Sequence, residues 1–219
     1  MSRCKLSQNN LSIAVCPASI KRNSSPSGWG LPSSAGISLL KTKICYAKVM
    51  QLNRELSDHL ARRMHVDPGD EDFGQCFFNA RRALFRLTRL DLVDQAVYTE
   101  GYTVYHNYRL NLHCVAGHGW VTHKNEIIDV DYADCYRYDA AYFPGLHFAV
   151  DEVYQRLKTS TPPDNSSAFG LMPMGVEMTR AYVQACEYLQ AVWPQEVTPY
   201  DLEHLNQWRE ILAGLAREE

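Results

Sequence analysis

Two alternating apolar runs meet at His123-Lys124-Asn125-Glu126, and that junction constrains the fold more than any other stretch. Cys114–Thr122 and Glu126–Tyr132 read as strands, and His123-Lys124-Asn125-Glu126 reads as the hairpin turn that leads from one into the other. If Lys124-Asn125 is a two-residue turn, the register follows: His118 faces Asp131 and Trp120 faces Asp129. His118, Asp129 and Asp131 then share one face of the sheet. Opposed side chains on such a face are about 5 Å apart and diagonal ones about 7–8 Å, so either aspartate can reach the imidazole. A three-residue loop would reverse the parity and separate them.

A helix should stand upstream of this hairpin. From Cys76 to about Asp91, Phe77, Ala80, Leu84 and Leu87 form an apolar stripe, with Arg81, Arg82, Arg86 and Arg89 expected on the wet side. Cys76 falls in the first turn, where unpaired N–H groups and the helix dipole favour a thiolate. Gly74 gives the chain room to turn before it, and Asn79 and Ala80 lie one helical turn on. A thiol, an imidazole and a carboxylate in that order are the parts of a nucleophilic triad: attack, proton transfer and orientation of the base. Cys76 is the expected nucleophile, His118 the base, and Asp129 or its rival Asp131 the acid. Gln75 is a candidate second donor to the oxyanion beside the Cys76 N–H.

The rest of the chain supplies further elements. Tyr46–His65 is expected to be helical, with Val49, Leu52, Leu56, Leu60 and Met64 near one face. Val97–Tyr105 alternates as a strand. Asp134–Gly145 reads as an aromatic loop, Phe148–Lys158 as a short helix and Thr159–Gly175 as a linker. Glu177–Val192 is helical, with Tyr182, Ala185, Cys186 and Leu189 inward. A last helix begins at Thr198-Pro199 and carries Leu202, Leu205, Trp208, Ile211 and Leu215. Helices, then strands, then helices imply an α+β fold on an antiparallel sheet. The expected division is a core over 45–158, a linker over 159–175 and a C-terminal helical extension over 176–219.

Residues 1–54 hold eight Lys/Arg and no acid, whereas the remainder carries 14 Lys/Arg against 25 Asp/Glu. An acidic body argues against nucleic acid as the partner. No apolar run is long enough for a spanning helix, so no membrane association is expected. Residues 1–44 are Ser- and Asn-rich and read as disordered, as a targeting segment, or as the export signal of an effector; Met50 is an alternative start. Seven irregularly spaced cysteines without a CxxC pair suit a reduced, cytoplasmic protein. His113, Cys114, His118, His123 and Cys135 could supply zinc ligands, but their spacing matches no compact zinc signature, so no metal or cofactor is expected.

Several of these stretches resemble one family. Gly74-x-Cys76-x-x-Asn79-Ala80 is similar to the nucleophile motif of transglutaminase-like, papain-fold cysteine enzymes. Tyr98-Thr99-Glu100-Gly101-Tyr102 resembles the strand that follows it in small bacterial and phage members. His118-Gly119-Trp120-Val121 resembles their His-Ala-Trp-Val strand, with glycine for alanine. Ile127-Ile128-Asp129-Val130 resembles the strand bearing the acid, and Tyr142-Phe143-Pro144-Gly145-Leu146-His147-Phe148 the end of that domain, with one extra residue before the glycine. The likeness covers roughly residues 70–150. It implies a nucleophile helix on an antiparallel sheet, a Cys76-His118-Asp129 triad, no cofactor, and a protein, peptide or small amide as substrate. The residues leave two other readings open: a binding module with aromatic loops as its contact surface, and a metal-dependent protein. The tyrosines between Tyr98 and Tyr142 could wall a cleft or simply pack the sheet.

Overall fold

The computed structural model describes residues 50–66, 75–90, 96–108, 110–131, 140–159, 168–169 and 175–217. The expectations placed on the basic N-terminal segment, on Gly74, on Cys135, Tyr136 and Tyr138, and on most of the linker lie outside these residues.

The described residues form an α+β fold with a five-stranded sheet whose strands lie in the order β1 (Gln51–Leu52), β4 (Glu126–Ile128), β3 (Leu112–His123), β2 (Ala96–Asn107), β5 (Ala141–Phe148). Strands β2 (Ala96–Asn107) and β3 (Leu112–His123) pair antiparallel over their full lengths, and β2 is rich in the sheet-forming residues Val, Tyr and Thr. A two-residue turn joins β3 to β4 (Glu126–Ile128); Lys124 and Asn125 take φ of 50° and 68°, as a type I′ turn requires. Val121 pairs with Ile128 and His123 with Glu126, the register read from the alternation.

The sheet is mixed rather than purely antiparallel. β1 (Gln51–Leu52) runs parallel to β4 inside the stretch expected to be helical, and that helix, α1, starts only at Arg54 and ends at Met64. Asn53 sets the boundary: its side chain caps the Leu56 N–H at 3.0 Å and donates to Glu126 Oε2 at 2.7 Å. β5 (Ala141–Phe148) occupies most of the expected aromatic loop and pairs with β2. Pro144 is tolerated there because β5 is an edge strand, which needs no N–H on its outer side.

Helix α2 (Gln75–Thr88) packs its stripe of Ala80, Ala83, Leu84 and Leu87 with Leu60 and Met64 of α1 and Tyr98, Val121 and Phe148 of the sheet. Arg81 is a correction: it is buried, not on the wet side. Its guanidinium lies over the rings of Tyr98 and Phe169, so aromatic faces replace part of its water. Helix α3 (Val150–Thr159) buries Val153 in the same core.

Helix α4 (Val176–Val192) sets Met178, Ala181, Tyr182 and Ala185 against Tyr102, Val104 and Val115 of the sheet. The stretch expected as a C-terminal extension therefore builds a second part of the core. Helix α5 (Pro199–Leu215) opens on a capping box between Thr198 and Asp201. Leu205 is buried and Trp208 packs on Tyr182, but Leu202 and Ile211 of the expected stripe are exposed. Among the described residues, no helix is long and apolar enough to cross a membrane.

Candidate active site

Cys76 enters the site on the first turn of α2, His118 from the middle of β3, and Asp129 and Asp131 from the chain just beyond β4. Strand alternation sends His118 and Gly119 to opposite sides of β3, and the first turn of α2 meets both. β4 ends at Ile128, so it does not run alongside His118 and Gly119, and the edge of β3 is open to the helix start there. Phe77 rests on Gly119, where an added Cβ would lie 2.9 Å from the Phe77 ring and 3.0 Å from its Cα. The neighbouring Cys76 sulfur, a ring nitrogen of His118 and a carboxylate oxygen of Asp131 lie within 4.8 Å of one another.

The two aspartates have different partners. Asp129 Oδ2 sits 2.8 Å from His118 Nε2, with both side chains buried. That bond commits Nε2 to the carboxylate and leaves Nδ1 as the ring nitrogen available to the thiol. Asp131 Oδ1 accepts from Asn79 Nδ2 at 2.7 Å, and its backbone N–H donates to Asp129 Oδ1 at 3.1 Å. Asp129 holds the imidazole, and Asp131 stands beside the sulfur and braces Asp129.

The electrostatics follow from burial and contact. Burial opposes a charge on His118, but the Asp129 carboxylate and the Cys76 sulfur outweigh it and hold the ring pKa well above the ordinary 6.5. Burial likewise opposes a charge on Asp129, yet His118, the Tyr142 hydroxyl and the Asp131 N–H keep its carboxyl below the ordinary 3.8. The pair is therefore held as an imidazolium beside a carboxylate, with the Cys76 sulfur next to the ring.

Sequence reasoning missed two supports of Asp129. Ser57 Oγ accepts the Asp129 N–H at 3.1 Å, and the same hydroxyl donates to the Asn53 carbonyl at 2.7 Å. The expected strand Glu126–Tyr132 ends at Ile128, one residue before this bond. Tyr142 Oη donates to Asp129 Oδ2 at 2.8 Å. The sequence places Tyr142 in an aromatic loop, in the Tyr-Phe-Pro-Gly stretch and among possible cleft-wall tyrosines, without pointing to a bond with Asp129; that stretch forms β5. Tyr98, Tyr102 and Tyr105 are buried in the sheet. Arg82 ties the site to α1, donating to the Met64 carbonyl at 3.0 Å and to Asn79 Oδ1 at 3.3 Å.

Gln75 opens α2 with an exposed side chain. Of the residues weighed as zinc ligands, His113 faces Glu196 and stacks on Trp193, 3.6 Å between centroids, while Cys114 and His123 are buried in β3. Among the described residues, only Cys76, His118 and Asp131 form a group of three with metal-ligand geometry. Comparison with known protein families, curated proteins and solved structures found no match.

Proposed function

We propose that this chain is a thiol-dependent hydrolase or acyltransferase of the transglutaminase-like, papain-fold kind, acting on an amide or peptide bond. The observation that carries the reading is a buried imidazole placed between a carboxylate at 2.8 Å and a thiol at a helix start. Cys76 attacks the substrate carbonyl as the thiolate, forming a C–S bond and moving the carbonyl electron pair onto oxygen. The Cys76 N–H, in the unpaired first turn of α2, is a donor for that oxygen, and Gln75 is retained as a proposed second one. His118 gives its Nδ1 proton to the departing amine, the C–N bond breaks, and a thioester remains. Water or a second amine, deprotonated by His118, then releases the acyl group. Water yields proteolysis, amide hydrolysis or deamidation, and an amine yields transamidation. The residues need no cofactor for these steps. A reducing compartment such as the cytoplasm suits the activity, because the nucleophile must stay a free thiol.

The test is the alkylation rate of Cys76 at mildly acidic pH. We expect it to exceed that of a free thiol and to fall at least tenfold in His118→Ala. Equal rates in the two proteins would remove the activated pair. A second reading, a binding module on the same fold, draws on the burial of Cys76, which keeps 6% of its surface exposed. A Cys76 that resists alkylation in the native protein and reacts only on unfolding would favour that module.

A further inference from the structure

Cys76, His118 and Asp131 offer one sulfur, one nitrogen and one oxygen within 4.8 Å of one another. We infer that these three side chains bind a divalent transition metal of the zinc type, and that its occupancy switches the thiol off. The binding half stands on geometry alone; the switching half rests on the thiol chemistry proposed above.

Zinc bound at about 2.0–2.3 Å to S, N and O ligands in a tetrahedron holds those atoms roughly 3.4–3.6 Å apart. The trio therefore closes on a metal by small side-chain rotations. A thiolate with an imidazole selects zinc or cobalt over magnesium or calcium, which prefer oxygen. The outer groups are also in place. Asp129 accepts from His118 Nε2 at 2.8 Å, which turns Nδ1 toward the sulfur and makes it the more basic donor. Asn79 donates to Asp131 Oδ1 at 2.7 Å and fixes that carboxylate. Three protein ligands leave a fourth position for water. Asp131 is half-buried whereas Cys76 and His118 are buried, so the metal enters past the aspartate.

The exchange balances simply. The metal accepts an electron pair from Sγ and one from Nδ1, and any proton held on either atom leaves to solvent. The sulfur is then no longer a free nucleophile, and the ring no longer holds the proton that the leaving amine needs. The ligands are too far apart in the chain for any compact zinc spacing to reveal them.

The experiment is titration of the full chain with cobalt(II), which has a visible spectrum in place of zinc. We expect one equivalent to bind with a thiolate-to-cobalt charge-transfer band, displaced by zinc and absent from Cys76→Ser. Asp131→Asn, which keeps an oxygen toward Asn79, should bind at least tenfold more weakly. Zinc should slow alkylation of wild-type Cys76 by at least tenfold, with full recovery on adding a chelator. Three results would each overturn the inference: a band that persists in Cys76→Ser, undiminished affinity in Asp131→Asn, or wild-type alkylation indifferent to excess zinc. The last measurement needs no variant, so a substitution that fails to fold leaves the test intact. Cobalt bound by these ligands in a chain whose metal-free Cys76 reacts no faster than a free thiol would support the metal site while removing the enzyme reading.

Discussion

Gly119 lies so close to Phe77 that one added methyl group would meet the Phe77 ring at 2.9 Å and the backbone of the helix start at 3.0 Å. The missing side chain is what lets the first turn of α2 settle on β3, and with it the Cys76 sulfur beside His118.

Gly119→Ala is therefore expected to push the start of α2 outward. One neighbour, Phe77 Cα, is backbone, so relief by a side-chain rotation alone is not open. Overpacking of this kind costs about 1–3 kcal/mol of stability. Separating sulfur from imidazole should also slow Cys76 alkylation at mildly acidic pH by about tenfold, since misplacement on the ångström scale costs up to a hundredfold in rate. Denaturant unfolding and alkylation kinetics on one preparation check both. An unchanged alkylation rate would show that the helix start has freedom to adjust.

The His118–Asp129 pair makes stability depend on pH in a definite direction. His118 has a raised pKa in the folded chain, so its contribution is complete below its ordinary 6.5 and drains away as pH rises through the folded value. Asp129 has a lowered one, so its contribution is complete above its ordinary 3.8 and drains away as pH falls toward the folded value. The pair thus stabilises most between those two ordinary values. Asp129→Ala leaves the imidazolium buried without its carboxylate and should cost about 3–5 kcal/mol. The difference between wild-type and Asp129→Ala stability, measured by urea unfolding over a pH series, should peak in the mildly acidic window. A flat difference curve would mean that the two groups do not form an ion pair.

Tyr142 donates to the same Asp129 oxygen that meets His118. Tyr142→Phe removes a hydrogen bond to a charged acceptor while keeping the ring, which packs edge-on to Trp120 at 5.3 Å between centroids. The expected loss is about 1.5–3 kcal/mol. Losing a donor also makes Asp129 more basic, so the acid limb of the pH–stability profile should move upward. An unshifted limb in this variant would separate Tyr142 from the charge of the pair.

The hairpin was legible because alternation and a two-residue turn together fix register. The helix of Cys76 was legible from its 3.6-residue stripe. Arg81 was misread because composition marks a guanidinium as wet, and only the tertiary arrangement supplies the Tyr98 and Phe169 rings that receive it. β5 was hidden by Pro144 and Gly145, which signal a loop unless the strand is known to be an edge. β1 is two residues long and pairs with Glu126 and Ile127, far along the chain, so no local pattern could announce it. Ser57 belongs to the same class: a small residue in an amphipathic helix gives no sign that its hydroxyl receives the Asp129 N–H.

The two aspartates can be separated by experiment. Asp131 places a carboxylate oxygen within 4.8 Å of the Cys76 sulfur, where its charge disfavours a thiolate. Two like charges about 4 Å apart repel by about 1 kcal/mol even in water, or about fivefold in a rate that depends on the thiolate. Asp131→Asn removes the charge and retains the backbone N–H that braces Asp129, so metal-free Cys76 should alkylate about fivefold faster at mildly acidic pH. Asp129→Asn should act in the opposite sense, because the imidazolium loses its counter-charge and the ring its orientation. If Asp131→Asn slowed alkylation as much as Asp129→Asn, the orienting role would pass to Asp131, and the 2.8 Å contact between His118 and Asp129 would be structural only.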